Sequence, residues 1–160
     1  MATCISHSPA ETEALGESWG SEASTGLVIG LSGDLGAGKT QFVKGLARGL
    51  GIPGRVHSPT FALVNIYTGG RLTLFHLDLY RLETPEQILA AGLEEYLQPN
   101  GVTVIEWAER WLGECAASAS QPPIKHQTSN IKHQTSPLRW LHFETLSETD
   151  RRLTYDAPGA

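Results

Sequence analysis

Two periods of apolar and polar positions alternate along this chain, and the switches between them predict its elements. The run Leu27 to Ser32 (L-V-I-G-L-S) is apolar almost throughout, as expected of a strand buried on both faces. Thr40 to Leu50 (T-Q-F-V-K-G-L-A-R-G-L) reads as a helix leaving the loop that follows. Upstream, Ser8-Pro9-Ala10-Glu11 has the form of a capping box, with Ser8 as N-cap, Pro9 at the first helical position and Glu11 reaching back. It predicts a helix to about Ala23, with Leu15 and Trp19 marking the buried stripe. Thr12 could border a ligand from this helix, although exposed helix surface is the simpler expectation.

Beyond the second helix, Gly49 and Gly51 offer left-handed stops, and Pro53-Gly54 marks a loop. Phe61 to Thr68 and Arg71 to Asp78 are β-rich runs joined across Gly69-Gly70, which predicts an antiparallel hairpin. The second run ends in His76-Leu77-Asp78, and alternation puts His76 and Asp78 on one side of the strand. Thr84-Pro85-Glu86-Gln87 opens another helix, which Gly92 breaks or kinks before Leu93, Tyr96 and Leu97. Gly101 to Glu106 (G-V-T-V-I-E) is a second buried strand tipped by an acid. Leu138 to Glu144 alternates as a strand, Ser147 to Asp150 turns, and Arg151 to Tyr155 closes a terminal hairpin.

Between residues 113 and 136 the pattern gives way to small and polar residues, and I-K-H-Q-T-S at 124–129 recurs at 131–136. Such low-complexity composition predicts a disordered insertion, and the repeat itself accounts for the seven-residue spacing of its histidines without a metal site. At 160 residues the rest is most simply a single domain over 1–160, able to bury about two-thirds of its unfolded surface. Cys4 and Cys115 lie far apart with no C-x-x-C, which suggests neither disulfide nor zinc site and makes a reducing cytoplasm the default. No apolar stretch approaches membrane-spanning length, and the N-terminus lacks the features of a secretory signal. A net charge of -5 argues against autonomous, nonspecific nucleic-acid binding, though not against service in a nucleic-acid-modifying complex.

The most specific signal lies between the first strand and second helix. Gly33, Asp34, Leu35, Gly36, Ala37, Gly38, Lys39 and Thr40 fit G-x-x-x-x-G-K-[ST] without a mismatch. Glycines let backbone N–H groups curl around an anion, Lys39 adds a mobile, solvent-facing positive charge, and Thr40 supplies a hydroxyl for Mg2+. ATP or GTP with magnesium is the expected ligand, facing a helix N-terminus. The fold class that follows is α/β: a P-loop NTPase-type three-layer fold with a mixed, mostly parallel sheet and an antiparallel hairpin. If the strands ending in Asp78 and Glu106 run parallel to the one feeding the loop, both acids gather at the sheet edge where ligands of such folds bind. Either could hold metal, and a glutamate could orient water. Thr60, in the turn Ser58-Pro59-Thr60-Phe61, could reach magnesium and the terminal phosphate as loop threonines of nucleotide switches do. His76 alone reads as a packed structural histidine, and Trp107 as core or platform. Arg81 and Arg110 could supply a cation, or pair with neighbouring acids such as Glu109 or Glu114.

Five segments together, GDLGAGKT at 33–40, SPTF at 58–61, HLDLYRL at 76–82, GLEEYL at 92–97 and IEWAER at 105–110, resemble the TsaE (YjeE-type) family. The resemblance runs in order from about Ser8 to Arg110, plus a plausible terminal hairpin. It implies an ATPase of tRNA threonylcarbamoyladenosine (t6A) biosynthesis. Such an ATPase works with TsaB and TsaD to modify the adenosine beside the anticodon of ANN-reading tRNAs. It further implies Lys39 on phosphates, Thr40 and Glu106 on magnesium, Asp78 and Glu106 important for turnover, Thr60 in a switch-like loop, and Trp107 beside the nucleotide. The repeat at 124–136 departs from the family pattern. A small-molecule kinase is the competing reading, because the same loop serves phosphoryl transfer to bound acceptors. A nucleotide-gated binding module with little turnover is a third. The insertion offers only Lys125 and Lys132 where a kinase lid would carry several arginines.

Overall fold

The computed structural model describes residues 2–34, 36–59, 61–113 and 137–155. Leu35, Thr60, Cys115, the repeat at 124–136 and the tail at 157–160 lie outside the described residues.

Among the described residues, seven strands form one sheet in the order β1-β7-β6-β2-β5-β4-β3. They are β1 (Ala2–Ser6), β2 (Val28–Gly33), β3 (Val64–Tyr67), β4 (Leu74–Asp78), β5 (Val102–Glu106), β6 (Leu138–Thr145) and β7 (Arg151–Tyr155). The centre, β6-β2-β5-β4, is parallel, while β3 joins β4, and β7 joins β6 and β1, in antiparallel fashion. The expected mixed sheet is therefore present with both expected hairpins, β3–β4 and β6–β7, and with β1 added beyond β7. The first hairpin is shorter than its apolar pattern suggests. Phe61 lies outside β3 and is 85% exposed, and Leu63 takes a positive φ of 67° just before the strand. Strand β1 has no clear signature, since its inner face carries Ala2, Cys4 and Ser6 while Ile5 is 40% exposed.

Helices α1 (Pro9–Glu22) and α2 (Lys39–Gly49) cover one face of the sheet. Helices α3 (Pro85–Ala90) and α4 (Glu109–Leu112), with a 3-10 turn at Leu93–Leu97, cover the other. Trp19 and Phe42 meet edge-on at 5.2 Å between Ile29, Leu31 and Phe143 on the first face. Ile88, Leu93 and Trp111 fill the second against Val28, Leu77 and Ile105. The Ser8 hydroxyl accepts from the Glu11 N–H, and Thr84 repeats the cap at Gln87. Each such cap stabilises its helix by about 1 kcal/mol.

Helices α1 and α2 approach to backbone contact through glycines. A Cβ at Gly16 would lie 2.2 Å from the Phe42 carbonyl oxygen, and one at Gly45 would lie 1.9 Å from that of Glu13. Only hydrogen fits there. This contact fixes where α2 starts, and with it the two site residues on its first turn.

Candidate functional site

Strand alternation turns Leu74, His76 and Asp78 of β4, and Val102, Val104 and Glu106 of β5, toward the α1–α2 face. The parallel register pairs Asp78 with Glu106. Both acids thus stand at the carboxyl edge of the sheet, beside the loop that β2 feeds into α2. This is the gathering the sequence predicts, and it brings Lys39, Thr40, Asp78, Glu106 and Trp107 around one cavity of about 540 Å3.

The loop 33–40 ends at Gly38, whose φ of 103° only glycine adopts freely and which brings no side-chain cap to α2. No acid occupies the first turn of α2 either. The helix therefore presents uncapped N–H groups and the positive end of its dipole to the cavity. Gly36, with φ at 77°, has nothing within 4 Å of where a Cβ would stand.

Lys39 is not the solvent-facing charge that the sequence suggests, since it is only 5% exposed. Its Nζ donates to the carbonyls of Gly33 (2.6 Å) and Asp34 (2.8 Å) and lies 4.1 Å from the Trp107 ring centre. Burial pulls its pKa below the usual lysine value, while Glu106, Glu109, Asp78 and Asp34 push the other way. Thr40 Oγ1 donates to Glu106 at 3.0 and 3.3 Å. Asp78 accepts from Ser58 Oγ at 2.6 Å and from the Tyr80 N–H at 2.9 Å, so Ser58 is tied to this acid. Thr60 and Leu35 themselves lie outside the described residues.

Trp107 sits immediately after β5 with φ at 60°, an uncommon backbone for a non-glycine residue. Tyr80 packs against its ring at 5.3 Å, and the Arg110 guanidinium lies 5.2 Å from it. Arg110 donates to the carbonyls of Leu79, Tyr80 and Leu82. It is an internal clamp that neither reaches toward the cavity nor pairs with Glu109, while Glu114 lies outside the described residues. Arg81 lies over Phe61 at 4.1 Å.

At Thr12 the less simple of the two expectations holds, and Arg151 and His76 bring contacts that the sequence did not signal. Thr12 is 2% exposed and lines the cavity, so this part of α1 is not free surface. Its hydroxyl meets Ser6 Oγ at 2.8 Å, a partner supplied by the unforeseen β1. Arg151, at the start of β7, also lines the cavity, with Nη2 3.4 Å from the Gly36 carbonyl. His76 is wholly buried, as a packed histidine should be, but its Nε2 stands 2.5 Å from Glu106 Oε2.

Residues 6–137 match the family model described as "Threonylcarbamoyl adenosine biosynthesis protein TsaE". The chain belongs to the TsaE family. It is 48% identical over 140 residues to the tRNA threonylcarbamoyladenosine biosynthesis protein TsaE of Bacillus subtilis, covering 88% of this chain and 87% of that protein. The similarly named protein of Treponema pallidum is 48% identical over 111 residues, or 69% of this chain and 82% of its own length. Among solved structures, the crystal structure of Bacillus subtilis YdiB matches with a TM-score of 0.69 at 31% identity, covering 99% of this chain and 86% of that one. The TsaE model ends before β6, so Arg151 lies beyond its span.

Proposed function

We propose that this chain is a Mg2+-dependent ATPase serving threonylcarbamoylation of adenosine 37 in ANN-reading tRNAs, in the cytoplasm and together with TsaB and TsaD. Membership of the TsaE family and the names of its relatives support the pathway. One observation carries the chemistry: Lys39 and Thr40, on the first turn of α2, face Asp78 and Glu106 across a single cavity.

The donor set fits magnesium. It consists of a hydroxyl and two carboxylates, all hard oxygens, and no group of three or more His, Cys, Asp or Glu able to hold a metal occurs among the described residues. Magnesium commonly takes one or two carboxylates and completes its shell with waters and phosphate oxygens. Thr40 and Glu106 would hold the ion, with Asp78 alongside directly or through water. When bound, it would neutralise charge on the phosphates.

The chain's own groups do the positioning. Backbone N–H groups at the start of α2 donate to the phosphates, and Lys39 exchanges two carbonyls for phosphate oxygens. Asp78 is held by Ser58 and Tyr80, so its carboxylate is oriented before a nucleotide arrives. Trp107 forms a wall beside the phosphates. Thr60 is assigned to the terminal phosphate through the loop that Ser58 anchors.

Arg110 is occupied by carbonyls, Arg81 lies over Phe61, and Arg151, which lines the cavity, donates to the carbonyls of Ser147, Asp150 and Gly36, so none of the three is poised as an arginine finger. A missing finger slows phosphoryl transfer by about 10³ to 10⁵. Turnover by the chain alone is therefore slow, and partners complete the site. The reading is tested by single-turnover and steady-state ATP hydrolysis with and without the TsaB and TsaD pair. Stimulation by the pair is expected. Full-speed hydrolysis alone, or phosphate transferred to a small acceptor, would replace this reading with a self-contained enzyme or a kinase.

A further inference from the structure

The residue least explained by its surroundings is His76. Its side chain is 0% exposed, in the middle of β4, where the neighbouring positions on that strand hold Phe75 and Leu77. A buried imidazole serving only as core would satisfy both ring nitrogens. Here Nδ1 has no hydrogen-bond partner among the described residues, and the ring's single directional contact is Nε2 to Glu106 Oε2 at 2.5 Å. Glu106 is itself 3% exposed, so this contact replaces water on that oxygen. A carboxylate accepts, which makes Nε2 the donor in this contact.

The opposite side of the carboxylate is equally defined. Thr40 Oγ1 lies nearer Oε1 than Oε2, at 3.0 against 3.3 Å. The Tyr67 ring packs near His76 with centroids 6.5 Å apart, and its hydroxyl is anchored on the His57 carbonyl. The imidazole is therefore a stiff donor on a central strand, gripping one oxygen of a glutamate whose other oxygen faces the first turn of α2.

From this we infer that His76 is a positioning residue: it fixes the Glu106 carboxylate so that Oε1, with the Thr40 hydroxyl, is directed at the divalent cation of a bound nucleotide. This rests on the nucleotide reading above. His76 touches neither nucleotide nor metal; it acts through Glu106, as hydrogen-bonding partners of metal ligands do when they set ligand orientation.

The test compares His76→Leu, His76→Gln and His76→Asn in the full chain. Gln carries an amide N–H near the position of Nε2, whereas Asn is one methylene shorter. ADP affinity is measured by calorimetry in EDTA and in Mg2+, and Mn2+ uptake by the ADP complex is followed by electron paramagnetic resonance. Partners of metal ligands typically change metal affinity by about 10 to 100-fold. The Leu and Asn variants are expected to lose Mn2+ affinity in that range with ADP affinity in EDTA unchanged, and the Gln variant to recover most of it. Parental Mn2+ affinity in a folded Leu variant would overturn the inference. So would an equal loss in EDTA, the mark of a merely structural role, or Gln and Asn variants that behave alike. If Leu fails to fold, the Gln and Asn pair decides by itself. A parent chain that binds no ADP under either condition overturns the nucleotide reading and this inference with it. A parent that binds ADP without any metal dependence overturns the inference alone.

Discussion

The Lys39 ammonium lies beneath the Trp107 indole, 4.1 Å from the ring centre, and donates to the carbonyls of Gly33 and Asp34. The cation on which phosphate binding would depend is thus stored inside the protein before any phosphate arrives. Burial lowers its pKa, the sign of a charged form held at some cost. A folded-state value below the unfolded one means that this cost is fully present at neutral pH. It fades as pH rises through the folded value toward the ordinary lysine range near 10.4. Lys39→Met is therefore expected to abolish ATP binding without lowering the thermal midpoint at pH 7. Calorimetry with ATP and thermal melts of the same sample check both halves, and retained ATP affinity would remove Lys39 from the site.

Glu106→Gln should slow ATP hydrolysis by about 10²-fold, the scale on which a positioned electrostatic group acts, while weakening nucleotide binding much less. In the proposed reading, the loop and the start of α2 would still hold the phosphates. Asp78→Asn shares the pattern, and it also disturbs the bond from Ser58 that anchors the following loop. Hydrolysis and ADP affinity measured side by side distinguish the two effects. Parental rates in both variants would place neither acid in the site.

Glu109 is half-buried, and its Oε2 is shut off from solvent with no partner among the described residues. Burial raises its pKa, against the opposing pull of its backbone hydrogen bond, Lys39 and Arg110. For an acid raised in the folded state, the favourable protonated form is lost as pH climbs through the folded value. Glu109→Gln is thus expected to raise the thermal midpoint at pH 7.5. The gain should vanish as pH falls below the ordinary glutamate value near 4.3. A gain that persists at low pH would trace to packing instead.

Gly45→Ala would set a methyl group 1.9 Å from the Glu13 carbonyl oxygen and force α1 from α2. Overpacking of this kind costs about 1 to 3 kcal/mol, and at a backbone contact the upper end is expected. Because α2 carries Lys39 and Thr40, nucleotide affinity should fall with stability. Chemical denaturation and ADP titration of the variant measure the two losses. A neutral result would mean that the helices part freely.

Those parts of the site that depend on chain-local chemistry were legible in sequence. The loop 33–40 announces itself because an anion cradle demands glycines and a lysine in fixed order, and Asp78 and Glu106 stand out as acids at the ends of apolar runs. What stayed hidden depends on contacts between distant segments. Strand β1 exists through its pairing with β7, from Ala2 with Tyr155 to Ser6 with Arg151, and its own composition gives no alternation strong enough to read. The same pairing buries Ser6 against Thr12, turning an ordinary helix position into a wall of the cavity. Arg110 and Arg81 follow acid motifs in sequence, yet one turns back onto carbonyls and the other onto a phenylalanine, because their directions are set by the loop after β4. His76 looked like core by composition, and core it is. Its grip on Glu106 depends on the relative register of β4 and β5, which neither strand encodes alone.

That register pairs Asp78 with Glu106 directly across two parallel strands. Adjacent strands are about 4.8 Å apart because backbone hydrogen bonds have one length, not because any side chain demands it. The spacing of the two acids is therefore borrowed from the most invariant dimension in protein architecture. The helical layers can drift in sequence, gaining or losing stability, while the sheet goes on serving as a ruler for the two carboxylates.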